Sequence, residues 1–406
     1  MTFPRLLASS AVMMFALWGC GKTETPPPAA ESKPAEQPAP AADAKPAAAP
    51  AGGEVVVKIG VAAPLTGPQS HYGKGIENAV RLAADDATAA GLEIGGQKVK
   101  FEVLAEDDQA DPKTATTVAQ KLVDAKVNGV VGHMNSGAGI PASKIYMEAS
   151  IPQISASMTA VAYTAQGYKT TYRVMANDAQ QGKVLGEYAT KKWGAKKVVL
   201  IDDRTAYGQG LADEVEKAIK ANGGEIAARE FTTDKAQDFN AILTSAKGKS
   251  PDLIFFGGMD PQGGPMTRQL KDLGMSAKYL GGDGIFSPKF IELAGKAAEG
   301  SKASSPGLPL EKMPGGTAFK QKYEAKYGQI QLYEPFAYDA TNILIDAMKR
   351  AGSTDPAKYL AEMPKTNFTG VIGTVSFDEK GDIKNGPVSV YEVKDGKWEA
   401  VETIGG

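Results

Sequence analysis

KVNGVVGHMNSGAGIPASKIYMEASIPQISASMT, spanning Val127 to Thr159 behind its leading Lys126, carries the pattern from which the architecture is read. Gly129–His133 is a short apolar run of strand type that stops at Asn135-Ser136-Gly137. A helical segment, Ala138–Glu148, follows. A second buried strand, Pro152–Ala156, then stops at Ser157-Met158-Thr159. Two successive strands thus end in small hydroxyl residues where the chain turns. In open α/β sheets, ligands sit outside the carboxyl ends of the strands, and a following helix offers free N–H donors and a positive dipole end. Ser136 heads such a helix and Thr159 faces a similar turn, a geometry suited to a small carboxylate. The residues alone leave a second reading open, in which Ser136 simply caps its helix.

The chain has 406 residues, more than one ordinary domain, and its length suggests two globular units plus tails. Apolar content of 42% and charged content of 23% suit a protein able to bury real cores. A formal net charge of −2 provides no basic field for nucleic acid or anionic membrane. With two histidines (His71 and His133) and one cysteine (Cys20), no Cys/His zinc cluster and no internal disulfide can be assembled.

Arg5 precedes an apolar run, Leu6–Trp18, too short to span a bilayer but of the length of a signal h-region. It ends in Leu17-Trp18-Gly19-Cys20, which resembles a bacterial lipobox with Cys20 as the acceptor thiol. The resemblance implies a lipoprotein signal peptide over 1–19 and a diacylglycerol thioether plus an amide-linked acyl chain on Cys20. More than one chain is what durable anchoring requires. The rest of 20–53 is almost wholly Ala, Pro, Lys, Glu and Ser, with no apolar periodicity, and reads as a disordered tether. At about 3.1 Å per extended residue it would reach on the order of 100 Å.

From Val55 onward strands and helices alternate: Val55–Ala63, a helix over Gly75–Ala90, Lys98–Leu104, a helix over Lys113–Asp124, then the stretch above. Arg173–Met175 brings the chain to a crossover. A second series runs through strand Lys197–Ile201, helix Gly208–Asn222, strand Glu225–Phe231, helix Phe239–Ala246, strand Leu253–Gly257, helix Met266–Leu273 and strand Lys278–Gly281. Helices Ala318–Tyr327 and Pro335–Ala351 and strands near Val371–Phe377 and Val388–Val393 complete the chain. Such alternation predicts an α/β protein with two doubly wound parallel-sheet lobes.

Several motifs point to chemistry that the surrounding residues do not support. Gly67 to Lys74 (GPQSHYGK) has one residue too many for a phosphate loop, and Gly75 stands where Ser or Thr must hold Mg²⁺. Glu106-Asp107-Asp108 and Asp111 could hold a metal or act as acid and base. Loop solvation, with Asp111 capping the Lys113 helix behind Pro112, is the preferred reading. Ser136 lacks the preceding glycine of a nucleophile elbow, and His133 on the same strand reads as packed rather than catalytic. Tyr207, just after a strand end, either looks into a cleft or packs. Asp283, within Gly281-Gly282-Asp283-Gly284, either meets a cation or makes an Asp-Gly turn.

Taken together, IGVAAPLTGPQSHYGKGIENAVRLA, EDDQADP, GHMNSGAGIPAS, RTAYGQGLA, FFGGMDPQGG and FDEKGD resemble the type I periplasmic binding proteins, specifically the branched-chain (Leu/Ile/Val) amino acid receptors of ABC importers. The likeness covers residues 55–395. It implies a Venus-flytrap fold with three crossovers, one lobe from 55–177 plus 306–385 and the other from 178–305 plus 386–406. It implies no catalysis, metal or cofactor. Ser136 and Thr159 would hold the ligand carboxylate, and Ser157, Thr159 and Asp283 its ammonium. Leucine-type members carry Glu where Asp283 stands. Tyr72, Met134, Tyr207, Gly284 and Tyr333 would line the side-chain pocket, with Met259 replacing a family tyrosine. Ala110 and Asn135 occupy positions that form a disulfide in some relatives. The implied partners are an aliphatic or related amino acid and an ABC permease with its cytoplasmic ATPase. The receptor would be a monomer on the periplasmic side of a bacterial membrane. A receptor for a neutral amide or urea-like solute, a sensory module of the same fold and a lipid-anchored hydrolase are the rival readings.

Overall fold

The computed structural model describes residues 54–405. The signal segment, Cys20 and the tether expected over 1–53 lie outside the described residues.

The strands in chain order are β1 (Val55–Ala63), β2 (Glu93–Ile94), β3 (Gln97–Asp107), β4 (Gly129–Gly132), β5 (Gln153–Ser155) and β6 (Thr171–Arg173). They form one sheet in the order β2-β3-β1-β4-β5-β6, parallel except for the β2–β3 hairpin. Next come β7 (Lys197–Asp202), β8 (Glu225–Phe231), β9 (Leu253–Gly257), β10 (Lys278–Gly281) and β11 (Lys302–Ser305). A small hairpin of β12 (Phe368–Gly370) and β13 (Gly373–Val375) precedes β14 (Val388–Lys394) and β15 (Lys397–Ile404). The second sheet has the order β15-β14-β11-β10-β9-β7-β8, with β14 and β15 antiparallel at its edge.

The five parallel strands of each sheet therefore share one order: second, first, third, fourth, fifth. In that order the chain winds outward in opposite directions from the first and third strands, and the crevice beyond their carboxyl ends is where ligands bind. In the first sheet this point lies between β1 and β4; in the second, between β7 and β9. The chain passes between the sheets three times: after β6, after β11, and before β14. Among the described residues no helix is long and apolar enough to cross a membrane.

The first helix begins at Ser70 rather than Gly75, helix Asp178–Glu187 and β15 were not expected, and two further differences bear on packing. The helix expected from Met266 begins at Asp260 and runs to Asp272. Its Pro261 lies in the first turn, where no intrahelical N–H is required. Gly263 is demanded by packing, because a Cβ there would meet Ile285 Cγ2 at 2.7 Å. Residues that read as breakers are thus what lets this helix pack closely. The strand expected near Val371–Phe377 is the turn and second arm of the β12–β13 hairpin, with the Val371 and Ile372 N–H groups donating to the Asp339 carboxylate at 3.0 and 2.8 Å.

Arg173, at the end of β6, is fully buried. Its guanidinium donates to the carbonyls of Met158 (2.7 Å) and Ala160 (3.0 Å), to Thr164 Oγ1 (2.8 Å) and to Asp382 Oδ1 (2.5 Å). The loop carrying Ser157 and Thr159 is thereby held from beneath. Removing one partner of a buried pair leaves an uncompensated charge, so Asp382→Ala should lower stability by about 3–5 kcal/mol. Chemical denaturation measures this, and a loss under about 1 kcal/mol would show that water or another group replaces the carboxylate.

Candidate functional site

Loops beyond the carboxyl ends of both sheets enclose a cavity of about 430 Å³. Met134, Ser136, Ser157 and Tyr333 line it on the first-sheet side, and Tyr207, Met259 and Asp283 on the other. Of the residues expected in the site, Tyr72, Thr159 and Gly284 lie buried behind this wall.

Helix Ser136–Glu148 starts at the cavity, with Asn135 at its N-cap position. Asn135 does not cap it. Its side-chain amide donates instead to Gln69 Oε1 at 2.7 Å. Nor does the Ser136 hydroxyl cap the helix: Oγ accepts from the Ala160 N–H across the gap at 3.3 Å. The free N–H groups and positive dipole end of this helix thus face the cavity beside a buried hydroxyl. Ser157 Oγ donates to the Met134 carbonyl at 2.9 Å, locking the two loops together. The Thr159 carbonyl accepts from the Asp178 N–H at 2.8 Å, while its Oγ1 is buried with no partner at hydrogen-bonding geometry.

Across the cavity, Asp283 opens a short 3-10 turn after β10 and is almost fully buried. Its Oδ1 accepts from Tyr207 Oη at 2.9 Å and Gln181 Nε2 at 3.2 Å, and its Oδ2 from Tyr333 Oη at 2.8 Å. Burial pushes this carboxyl above the usual carboxylate range, and the three neutral donors oppose the shift. Burial, reinforced by the Asp283 charge, pushes the Tyr207 and Tyr333 phenols well up, so both remain protonated donors. Tyr207 Oη also accepts from the Gly284 N–H at 2.9 Å, and Tyr72 Oη donates to the Gly284 carbonyl at 3.2 Å. Gly284 has no room for a side chain, since a Cβ would lie 2.8 Å from Met259 Sδ and 2.9 Å from Tyr207 Cε1. The cavity therefore offers a carboxylate held by neutral donors on one side, and a helix N-terminus with hydroxyls on the other.

Three contacts here have no signature in the sequence. Gln181 reaches Asp283 although it lies inside helix Asp178–Glu187 rather than at a strand end. His71 Nε2 lies 2.8 Å from Asp260 Oδ2, joining the segment after β1 to the segment after β9. Asp260 also accepts from Ser287 Oγ at 2.5 Å. The acidic cluster is accounted for locally. Asp111 accepts from the Thr114 N–H at 2.7 Å, Asp107 from the Leu65 N–H at 2.9 Å, and Asp108 lies 2.7 Å from His133 Nδ1. His133 is fully buried between Asp108 and the Tyr146 hydroxyl, as a packed histidine would be.

Residues 56–397 match the family model described as periplasmic binding protein. The Leu/Ile/Val-binding protein homolog 1 of Brucella suis biovar 1 is 35% identical over 344 residues, which is 84% of this chain and 90% of the relative. The leucine-, isoleucine-, valine-, threonine- and alanine-binding protein of Pseudomonas aeruginosa is 33% identical over 83% of this chain and 89% of its own length. Among solved structures, the branched-chain amino acid transporter substrate-binding protein LivJ of Streptococcus pneumoniae, in complex with isoleucine, superposes with a TM-score of 0.78. It is 30% identical, covering 87% of this chain and all of the LivJ chain.

Tyr207→Phe removes one donor from the Asp283 carboxylate and orphans the Gly284 N–H. A hydrogen bond to a buried charged group contributes roughly 1.5–3 kcal/mol, so urea denaturation should register a loss of that size. An unchanged midpoint would mean that the phenol is not holding the carboxylate.

Proposed function

We propose that this chain, which belongs to the periplasmic binding protein family, is the extracytoplasmic receptor of an ABC importer and captures an aliphatic, branched-chain or related amino acid in the cavity between its two sheets. The observation that carries the proposal is the Asp283 carboxylate, buried in the cavity wall opposite the N-terminus of helix Ser136–Glu148. A zwitterion supplies both complements, its ammonium to the carboxylate and its carboxylate to the N–H groups and hydroxyl.

In this reading Ser136, with Thr159 behind it, holds the ligand carboxylate. Asp283 holds the ammonium, assisted by Ser157 and Thr159. Tyr72, Met134, Tyr207, Met259, Gly284 and Tyr333 shape the space for the side chain. Neither half alone can satisfy both charges, so a bound amino acid favours the arrangement that brings the halves together. Capture makes and breaks no bond. The closed complex then presents itself to a membrane permease with a cytoplasmic ATPase. A neutral amide or urea-like solute would leave the Asp283 carboxylate buried without a cation, which the amino-acid reading avoids. The protein is held at the envelope through acyl chains on Cys20. Cys20→Ser should accordingly move it from the membrane to the soluble fraction, whereas unchanged fractionation would exclude that anchor.

The direct test is a thermal-shift screen of the purified protein against the amino acids and simple amides. A ligand at 100 times its Kd should add about 2.7 kcal/mol of stability. Asp283→Ala should remove most of the shift produced by an amino acid; an undiminished shift would falsify the assigned ammonium site.

A further inference from the structure

The carboxylate that meets the ligand cation in this reading has a second carboxylate behind it. Asp178, the first residue of helix Asp178–Glu187, is fully buried. The Gln181 amide nitrogen lies 3.2 Å from Asp283 Oδ1 and 3.4 Å from Asp178 Oδ1, so one neutral donor group serves two acids. The orientation of that amide is set by its other end, where Oε1 accepts from Ser304 Oγ at 2.8 Å. Flipping it would turn a carbonyl oxygen toward two carboxylates. Asp178 Oδ2 is buried with no partner at full hydrogen-bonding geometry, and the group beside it is the Thr159 hydroxyl, itself without a well-formed partner.

The surroundings do not neutralise two anions. Asp283 is met by two phenols and the amide. Asp178 feels the charges of Asp283, of Arg173 from β6 and of Glu214 from helix Ala206–Ala221, with the Thr159 hydroxyl and the Tyr207 phenol also near it. Arg173 is already engaged by Asp382 and two carbonyls. Burial, then the Asp283 charge, pushes the Asp178 carboxyl well up, while the Thr159 hydroxyl and the Arg173 charge oppose this. Like charges sharing a dry site titrate as a pair, with one proton retained.

We propose that Asp178 and Asp283 share one proton in the free protein, that the incoming ammonium expels it, and that Gln181 is the positioning residue coupling the two acids. The proton leaves a carboxyl oxygen for solvent water, and the ammonium takes its place as the compensating positive charge. This rests on the amino-acid reading above. Affinity then rises with pH while the free pair still holds its proton, and levels off once the pair is fully ionised. Asp178 does not line the cavity, so its effect passes through Asp283 rather than through the ligand.

The test is calorimetric titration of the full chain with L-leucine, L-isoleucine, L-valine and L-alanine, in buffers of differing ionisation enthalpy. One coupled proton gives up to about a tenfold change in Kd per pH unit wherever the free pair still holds its proton, with close to one proton released there. Asp178→Asn should reduce that release and flatten the pH profile, an effect that a purely structural role would not produce. Binding with a buffer-independent enthalpy across the whole range overturns the shared proton and leaves the receptor reading intact. The wild-type proton count decides this even if the variant fails to fold. If neither these four nor any other amino acid in the thermal-shift screen binds, the receptor reading fails, and the proton coupling with it.

Discussion

A buried guanidinium beneath the cleft sets the geometry of much of this molecule. Arg173 carries its charge into a site from which water is excluded, and such a charge persists only with a partner carboxylate and full hydrogen bonding. Meeting those demands fixes the neighbours in turn. The carbonyls of Met158 and Ala160, on either side of Thr159, are drawn onto the guanidinium. Asp382, which balances the charge, also accepts from Asn177 Nδ2 at 3.2 Å. Asn177 is the N-cap of helix Asp178–Glu187, in a reciprocal capping box with Gln180. One ion pair therefore positions both the loop on the first wall of the cleft and the helix that delivers Gln181 to the second.

The cleft floor follows the same logic with the sign reversed. Asp283 is kept from water but paired with phenols and an amide rather than with lysine or arginine. Neutral donors stabilise a carboxylate without cancelling its field. The site therefore retains an attraction for a cation that a salt bridge would have spent. Tyr333 comes from the segment between the second and third passes of the chain, whereas Tyr207 follows β7, so groups from both sides of the cleft build this one anionic point.

What could be read from the sequence was whatever occupies a strand end. Ser136, Tyr207 and Asp283 each follow a buried apolar run, and the strand–helix alternation announced two parallel sheets. The order of strands within each sheet could not be read, because a run such as Leu253–Gly257 is equally apolar wherever it lies. Gln181 was invisible for a different reason: it sits within a helix and acts only because the Arg173–Asp382–Asn177 contacts aim that helix. Arg173 itself marked a crossover without disclosing that it was buried. β15 mixes half-buried and exposed residues without regular alternation at a sheet edge, a pattern too weak to single out. The helix from Asp260 was obscured because Gly263, Gly264 and Pro265 usually punctuate structure, whereas here small residues admit close neighbours.

The three passes between the sheets have a mechanical consequence. A single linker would let two bodies swivel and twist freely, and two linkers would still leave substantial play. Three separate strands of backbone, emerging after β6, after β11 and before β14, resist shear and torsion together. Three connections thus leave the two sheets fewer ways to move against each other than a single hinge would.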